Sequence, residues 1–244
     1  SLCCANFCSE SVVSSELAEF GGMPCLRSKF NFEVYNHMKM FKKTLIAAAA
    51  ASTLSFAVAP AAVAEVSASA SISSSYLWRG YDLGQGDAAL AADIVYSSNG
   101  FTAGMWVSSG DVNMGTEYDF FAGYGGSVGE FNYSFSYFTY MYPSADTNNE
   151  AAELQEYVYS VGYGPVALTV YDDIDSNYSY TTLGYDVGSF SLMYGAHDNG
   201  ANNQENFDVT YSYNDSLSFT YSTPFGSDVE EAEPTFVASY SLPF

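Results

Sequence analysis

The last ten residues, Thr235 to Phe244, read TFVASYSLPF and alternate without a break. Phe236, Ala238, Tyr240, Leu242 and Phe244 fall on one parity. Val237, Ser239, Ser241 and Pro243 fall on the other. A β-strand sends successive side chains to opposite faces, so this is a strand with one apolar face and one small, mostly polar face. The same grammar, Tyr and Phe set against Ser, Gly and Thr, recurs upstream as far as residue 66. Long apolar runs suited to a sandwich core are missing, and no helical period replaces the alternation. Strands with one apolar and one polar face are the signature of a barrel in lipid.

Twelve strand-like segments can be read. They are Val66–Trp78, Ala88–Tyr96, Phe101–Ser108, Thr116–Gly125, Phe131–Tyr142, Leu154–Tyr163, Val166–Tyr171, Tyr178–Val187, Phe190–Ala196, Phe207–Tyr213, Leu217–Thr223 and the closing stretch. Short Gly-, Asn- or Ser-containing turns follow the even segments, as at Ser97-Ser98-Asn99-Gly100 and Gly188-Ser189. Longer polar connections follow the odd ones: Arg79–Asp87, Ser109–Gly115, Pro143–Glu153, Asp172–Asn177, His197–Asn206 and Pro224–Pro234. The expected fold is all-β: a closed antiparallel up-and-down transmembrane β-barrel of twelve strands, with ten as the alternative. The closing strand should pair with both Leu217–Thr223 and Val66–Trp78, removing both free edges. Pro243, which has no N–H to donate, should loosen that seam at the short-turn rim.

Upstream of the barrel the composition changes. Residues 1–37 lack periodicity and hold all four cysteines, Cys3, Cys4, Cys8 and Cys25, without a Cys-x-x-Cys pair. We read them as an irregular, non-native or over-extended segment, not as a zinc site. Residues 38–64 follow the pattern of a secretory signal: Lys39, Lys42 and Lys43, an Ala-rich apolar run from Leu45 to Val58, then Ala62-Val63-Ala64. The barrel domain is then 65–244.

Charge narrows the function classes. The chain carries a formal net charge of −22. Arg79 is the only Lys or Arg beyond Lys43. Binding to nucleic acid through a basic patch is therefore excluded. Asp93, Glu117, Asp119, Glu156, Asp186 and Asp208 fall within strand segments, each on the parity opposite the apolar one. Trp78, Tyr96, Phe101, Tyr124, Phe131, Tyr142 and Tyr163 fall near segment ends, where an interfacial aromatic girdle belongs.

The blocks Ser74-Ser75-Tyr76-Leu77-Trp78-Arg79-Gly80, Gly86-Asp87-Ala88-Ala89-Leu90 and Asn99-Gly100-Phe101-Thr102-Ala103-Gly104-Met105-Trp106 resemble the TorF-type porin family, also labelled Gcw_chp. Glu117–Tyr124 and Glu156–Tyr159 continue the likeness. Ala88 stands where that family often has Pro. The resemblance implies a bacterial outer-membrane barrel assigned as a porin. The closing stretch separately resembles the last strand of bacterial outer-membrane barrels, which implies that Phe236, Tyr240, Leu242 and Phe244 act as a C-terminal assembly signal for the barrel-assembly machinery.

Small inward residues point to a narrow water-filled lumen that passes small hydrophilic solutes or ions, since no segment is long enough for a plug domain. Asp93, Glu117, Asp119, Glu156 and Asp208 would line it, opposed only by Arg79, so the field favours cations. Arg79 reads either as a constriction charge or as a structural partner of Asp82 or Asp87. The alternative function is a non-conducting surface barrel that acts on the envelope, or adheres, through acidic outer loops. Expected partners are outer-membrane lipid and lipopolysaccharide, with loose divalent cations bridged by outer carboxylates. No cofactor, metal centre or catalysis is expected. Asp173-x-Asp175-x-Asn177 lacks the Gly and Glu of an EF-hand, having Tyr178 and Gly184 there. Tyr96-Ser97-Ser98-Asn99-Gly100 lacks the His of the barrel phospholipase motif, and His197 adjoins Asp198 in a polar stretch.

Overall fold

The computed structural model describes residues 64–199, 204–226 and 233–244. The N-terminal extension and nearly all of the signal sequence fall outside these, as do most of the acids from Asp228 to Glu233.

Fourteen strands follow in order: β1 (Glu65–Ser73), β2 (Leu77–Trp78), β3 (Tyr81–Asp82), β4 (Ala89–Ser98), β5 (Phe101–Asp111), β6 (Gly115–Val128) and β7 (Phe131–Met141), then β8 (Leu154–Tyr163), β9 (Val166–Asp173), β10 (Ser179–Val187), β11 (Phe190–Asp198), β12 (Glu205–Ser212), β13 (Leu217–Phe225) and β14 (Thr235–Pro243). Twelve of them close into one antiparallel barrel in which each strand pairs with its sequence neighbours, while β2 and β3 form a separate hairpin. The alternation of the sequence becomes two faces. Leu90, Ile94, Tyr124, Tyr159, Leu183, Phe190, Tyr221 and Phe236 stand exposed on the outside. A solvent-exposed apolar belt of this extent is uncharacteristic of a water-soluble surface and suits hydrocarbon.

Closure occurs where expected. β14 pairs with β13, from Leu217↔Tyr240 to Ser222↔Thr235, and with β1, from Ser73↔Ser239 to Ser69↔Pro243. The expected loosening at Pro243 does not occur. The Phe244 N–H resumes the ladder one residue later, donating to the Ala68 carbonyl at 2.8 Å.

Turns between even and odd barrel strands are tight. Asn99 and Gly100 take φ of 51° and 83°, the mirror-image turn that matches strand twist. Asp173, first of the EF-hand-like acids, caps the β9–β10 connection. Its Oδ1 accepts the N–H groups of Asp175 and Ser176 at 2.9 and 2.7 Å.

The first segment differs from expectation. β1 ends at Ser73, and Tyr76 and Trp78 do not continue its lipid-facing row. Residues 75–84 fold into the barrel instead, while Ser74 and residues 85–88 stay exposed. Tyr76, Leu77 and Arg79 are buried there. A plug is thus built from a connection, without a plug domain, and Trp78 leaves the aromatic girdle for the interior.

Candidate functional site

The hairpin is shaped by its own backbone. Leu77 pairs with Asp82 and Trp78 with Tyr81, leaving Arg79 and Gly80 as the two turn residues. Their φ values are 49° and 87°. Glycine takes this region freely, whereas arginine is strained in it, at a cost on the order of 1–3 kcal/mol that surrounding contacts must offset. Ser75 Oγ donates to Asp82, and the Leu83 N–H donates to the Tyr76 carbonyl at 2.8 Å. The barrel wall is cut away to fit. A Cβ on Gly110 would stand 2.6 Å from the Cβ atoms of both Ala89 and Tyr76.

Arg79 crosses the interior to β8. Its Nη1 and Nη2 donate to Glu156 Oε1 and Oε2 at 2.8 and 2.6 Å, a bidentate pair with both side chains buried. Tyr140 Oη also donates to Glu156 Oε2, at 2.7 Å. The guanidinium carbon lies 4.6 Å from the ring centres of Trp78 and Tyr171, 5.2 Å from Tyr180 and 5.7 Å from Tyr178. Ring faces attract a cation, the more so where water is excluded. They also surround Nε, which has no hydrogen-bond partner. Burial opposes the charge on Arg79, but Glu156 more than offsets it and holds the guanidinium pKa well above its ordinary value.

A second set of bonds fixes the turn. Nε2 of His197 lies 2.8 Å from the Arg79 carbonyl oxygen, so it donates, leaving Nδ1 to accept from Tyr178 Oη at 2.9 Å. Tyr178 Oη in turn accepts from Arg79 Nη1 at 3.1 Å. Burial raises the Tyr178 hydroxyl above its ordinary pKa, keeping it a donor. The ring Arg79–Tyr178–His197–Arg79 is therefore closed, with His197 neutral at Nδ1.

Every carboxylate read on the inward parity is on the inward face, but each is placed differently. Glu156 holds Arg79. Glu117 accepts from Tyr76 Oη at 2.7 Å, and Asp119 is buried with Oδ1 unpartnered. Asp208 accepts from Ser222 Oγ at 2.6 Å and Asn206 Nδ2 at 2.9 Å. Asp93 accepts from Ser69, and Asp186, exposed nearer the short turns, from Ser191. Asp82 and Asp87 are not the partners of Arg79. Asp82 is engaged by Ser75 within the hairpin, and the barrel wall offers the guanidinium a buried carboxylate.

The inward face is also less uniformly small than the sequence reading made it. Phe121, Phe138, Val158, Tyr171 and Tyr180 form a buried inward cluster on β6 to β10. Phe121 stacks on Phe138 with ring centres 5.2 Å apart, and it has room because its cross-strand neighbour is Gly104. These residues lay on the carboxylate parity, so an aromatic at that parity was the available signal. Among the described residues, no group of three or more His, Cys, Asp or Glu is placed to hold a metal.

Gly80 is where the hairpin touches the far wall. A Cβ there would stand 2.7 Å from Asn206 Cβ, and Asn206 is fully buried and fixed by Tyr180 Oη at 3.0 Å. Gly80→Ala is expected to lower stability by about 1–3 kcal/mol, through positive φ and this clash. A melting series on the refolded barrel, with Gly86→Ala as the uncrowded comparison, measures it.

Solved structures that are similar to the chain include two at low similarity. Outer membrane phospholipase A from Escherichia coli is 10% identical, with a TM-score of 0.41, covering 72% of this chain and 88% of its own. OccAB2 from Acinetobacter baumannii is 12% identical, with a TM-score of 0.34, covering 65% of this chain and 55% of its own. Neither bears on activity at these values. No curated protein sequence matches the chain. A family model does match the chain: residues 57–170, a span that includes β1 to β8 and the Arg79 hairpin, are similar to Gcw_chp, described as a bacterial protein of unknown function.

Proposed function

We propose that the chain is an outer-membrane porin that passes small hydrophilic solutes or ions through a narrow, cation-leaning lumen. One observation carries the reading: the inward wall holds Asp93, Glu117, Asp119, Asp186 and Asp208, while Arg79, the one Lys or Arg among the described residues, is neutralised by Glu156. A wall of one sign in a low-dielectric channel concentrates cations and repels anions. The apolar outer belt supports placement in the outer membrane, among lipid and lipopolysaccharide.

A second reading is favoured by the buried hairpin. With residues 75–84 packed inside, the resting barrel is constricted. A surface protein acting through its acidic outer loops, with loose divalent binding there, needs no more than that. Catalysis is no part of either proposal, since His197 commits both ring nitrogens to Tyr178 and Arg79.

Reconstitution into planar bilayers under a KCl gradient separates the readings. The porin reading expects discrete conductance and a reversal potential favouring K⁺. Absence of steps in wild type and in a hairpin-released variant would leave the surface-barrel reading. Chloride preference would overturn the electrostatic argument.

A further inference from the structure

We propose that the pocket holding Arg79 is a recognition site for soluble organic cations bearing a guanidinium or ammonium group, kept filled in the resting barrel by the chain's own arginine. The inference rests on the porin reading for its transport consequence, and it names the solute class. The site is built mainly from the barrel wall: Glu156 on β8, Tyr140 on β7, Tyr171 on β9 and Tyr180 on β10, each held by its strand ladder. Its guest is carried by a hairpin of two-residue strands with a non-glycine residue at φ 49° in the turn. Hairpin withdrawal removes Arg79 and Trp78 together but leaves a carboxylate with one tyrosine donor and the ring faces of Tyr171, Tyr178 and Tyr180. A buried carboxylate beside ring faces binds organic cations, whereas small hydrated ions lose more water than those faces return. A planar guanidinium is the closest match, because its fork fits both oxygens of Glu156. Asp119, with a buried Oδ1 that lacks a partner, offers a further polar acceptor on the inward wall.

The tethered arginine then acts as an intramolecular competitor. Short tethers give effective concentrations of about a millimolar or more, so removing the competitor should tighten soluble-cation binding roughly tenfold or more. The probe is L-argininamide, against citrullinamide as its uncharged near-isostere. The chain has two tryptophans, Trp78 and Trp106. Trp106→Phe therefore leaves Trp78, on the hairpin beside the pocket, as the reporter. Wild-type protein folded in detergent is expected to show weak, saturable fluorescence change with argininamide and none with citrullinamide. Calorimetric titration of Arg79→Ala, or of Arg79→Gln if the first does not refold, should give the tighter constant, and Glu156→Gln should abolish binding. Equal response to the two amides, or undiminished binding in Glu156→Gln, would overturn the proposal. Binding without any bilayer conductance would sink the porin reading and leave the site. Conductance without amide discrimination in the titration would do the reverse.

Discussion

Glutamine at position 156 is expected to turn a trypsin-resistant barrel into one that trypsin cuts at a single place. Beyond Lys43 the chain offers trypsin one bond, Arg79–Gly80, because Arg79 is the last Lys or Arg in the sequence. In the folded barrel that bond lies inside, with Arg79 buried and Gly80 against Asn206. Glu156→Gln keeps the side-chain shape but leaves a guanidinium buried without its counter-charge. Breaking one side of a buried pair costs about 3–5 kcal/mol, because the remaining charge stays desolvated. The hairpin has an escape that a core residue lacks, since it belongs to a connection between strands and can swing out to water. We therefore expect release of the hairpin, not collapse of the barrel. The measurement is a trypsin time course on refolded protein, with heat-modifiable gel migration reporting the intact barrel. Cleavage after Arg79 in Glu156→Gln, with wild type resistant, is the expected result. Equal resistance in both would mean that His197 and the ring stack hold the hairpin without the ion pair. The same variant should conduct better than wild type by several-fold, since the obstruction leaves.

The second large effect lies on the outer face. Leu183 sits at the centre of β10, paired with Leu168 and Tyr194 and exposed outward. Leu183→Arg is expected to destabilise the barrel by about 2–4 kcal/mol in a bilayer, the cost of a cation at the midplane. The same change in detergent should cost less, because a micelle lets the side chain reach water. Urea titration in vesicles of phosphatidylcholine and in detergent compares the two. A neutral effect in vesicles would place β10 outside the hydrocarbon. Ser179→Arg, at the long-loop end of the same strand, is the control expected to be nearly silent.

Parity was legible because it is a local property. Asp93, Glu117, Asp119, Glu156, Asp186 and Asp208 could be placed on one face from neighbouring residues alone, as could Leu183 and Tyr185 on the other. Strand order followed as well, because in an up-and-down barrel each strand pairs with its neighbour in the chain. The aromatics Phe121, Phe138, Tyr171 and Tyr180 were on the readable inward parity, yet an alternation read for its apolar face passes over rings on the other one. Trp78 was misplaced for a different reason: the alternation of β1 runs on smoothly through Tyr76 and Trp78, and nothing local marks Ser73 as its end.

The sequence by itself determined a closed twelve-stranded barrel, its two faces and its acid-lined interior, since a period of two and turn chemistry are written residue by residue. Only the tertiary structure decided that residues 75–84 turn inward and that Arg79 meets Glu156, Tyr171, Tyr178, Tyr180 and His197. Those partners lie 77 to 118 positions away along the chain, as the Arg79 bonds to Glu156 and His197 mark. They become neighbours only because barrel closure brings β8 to β11 around one interior, where a lone buried cation must find the one carboxylate and the ring faces able to hold it.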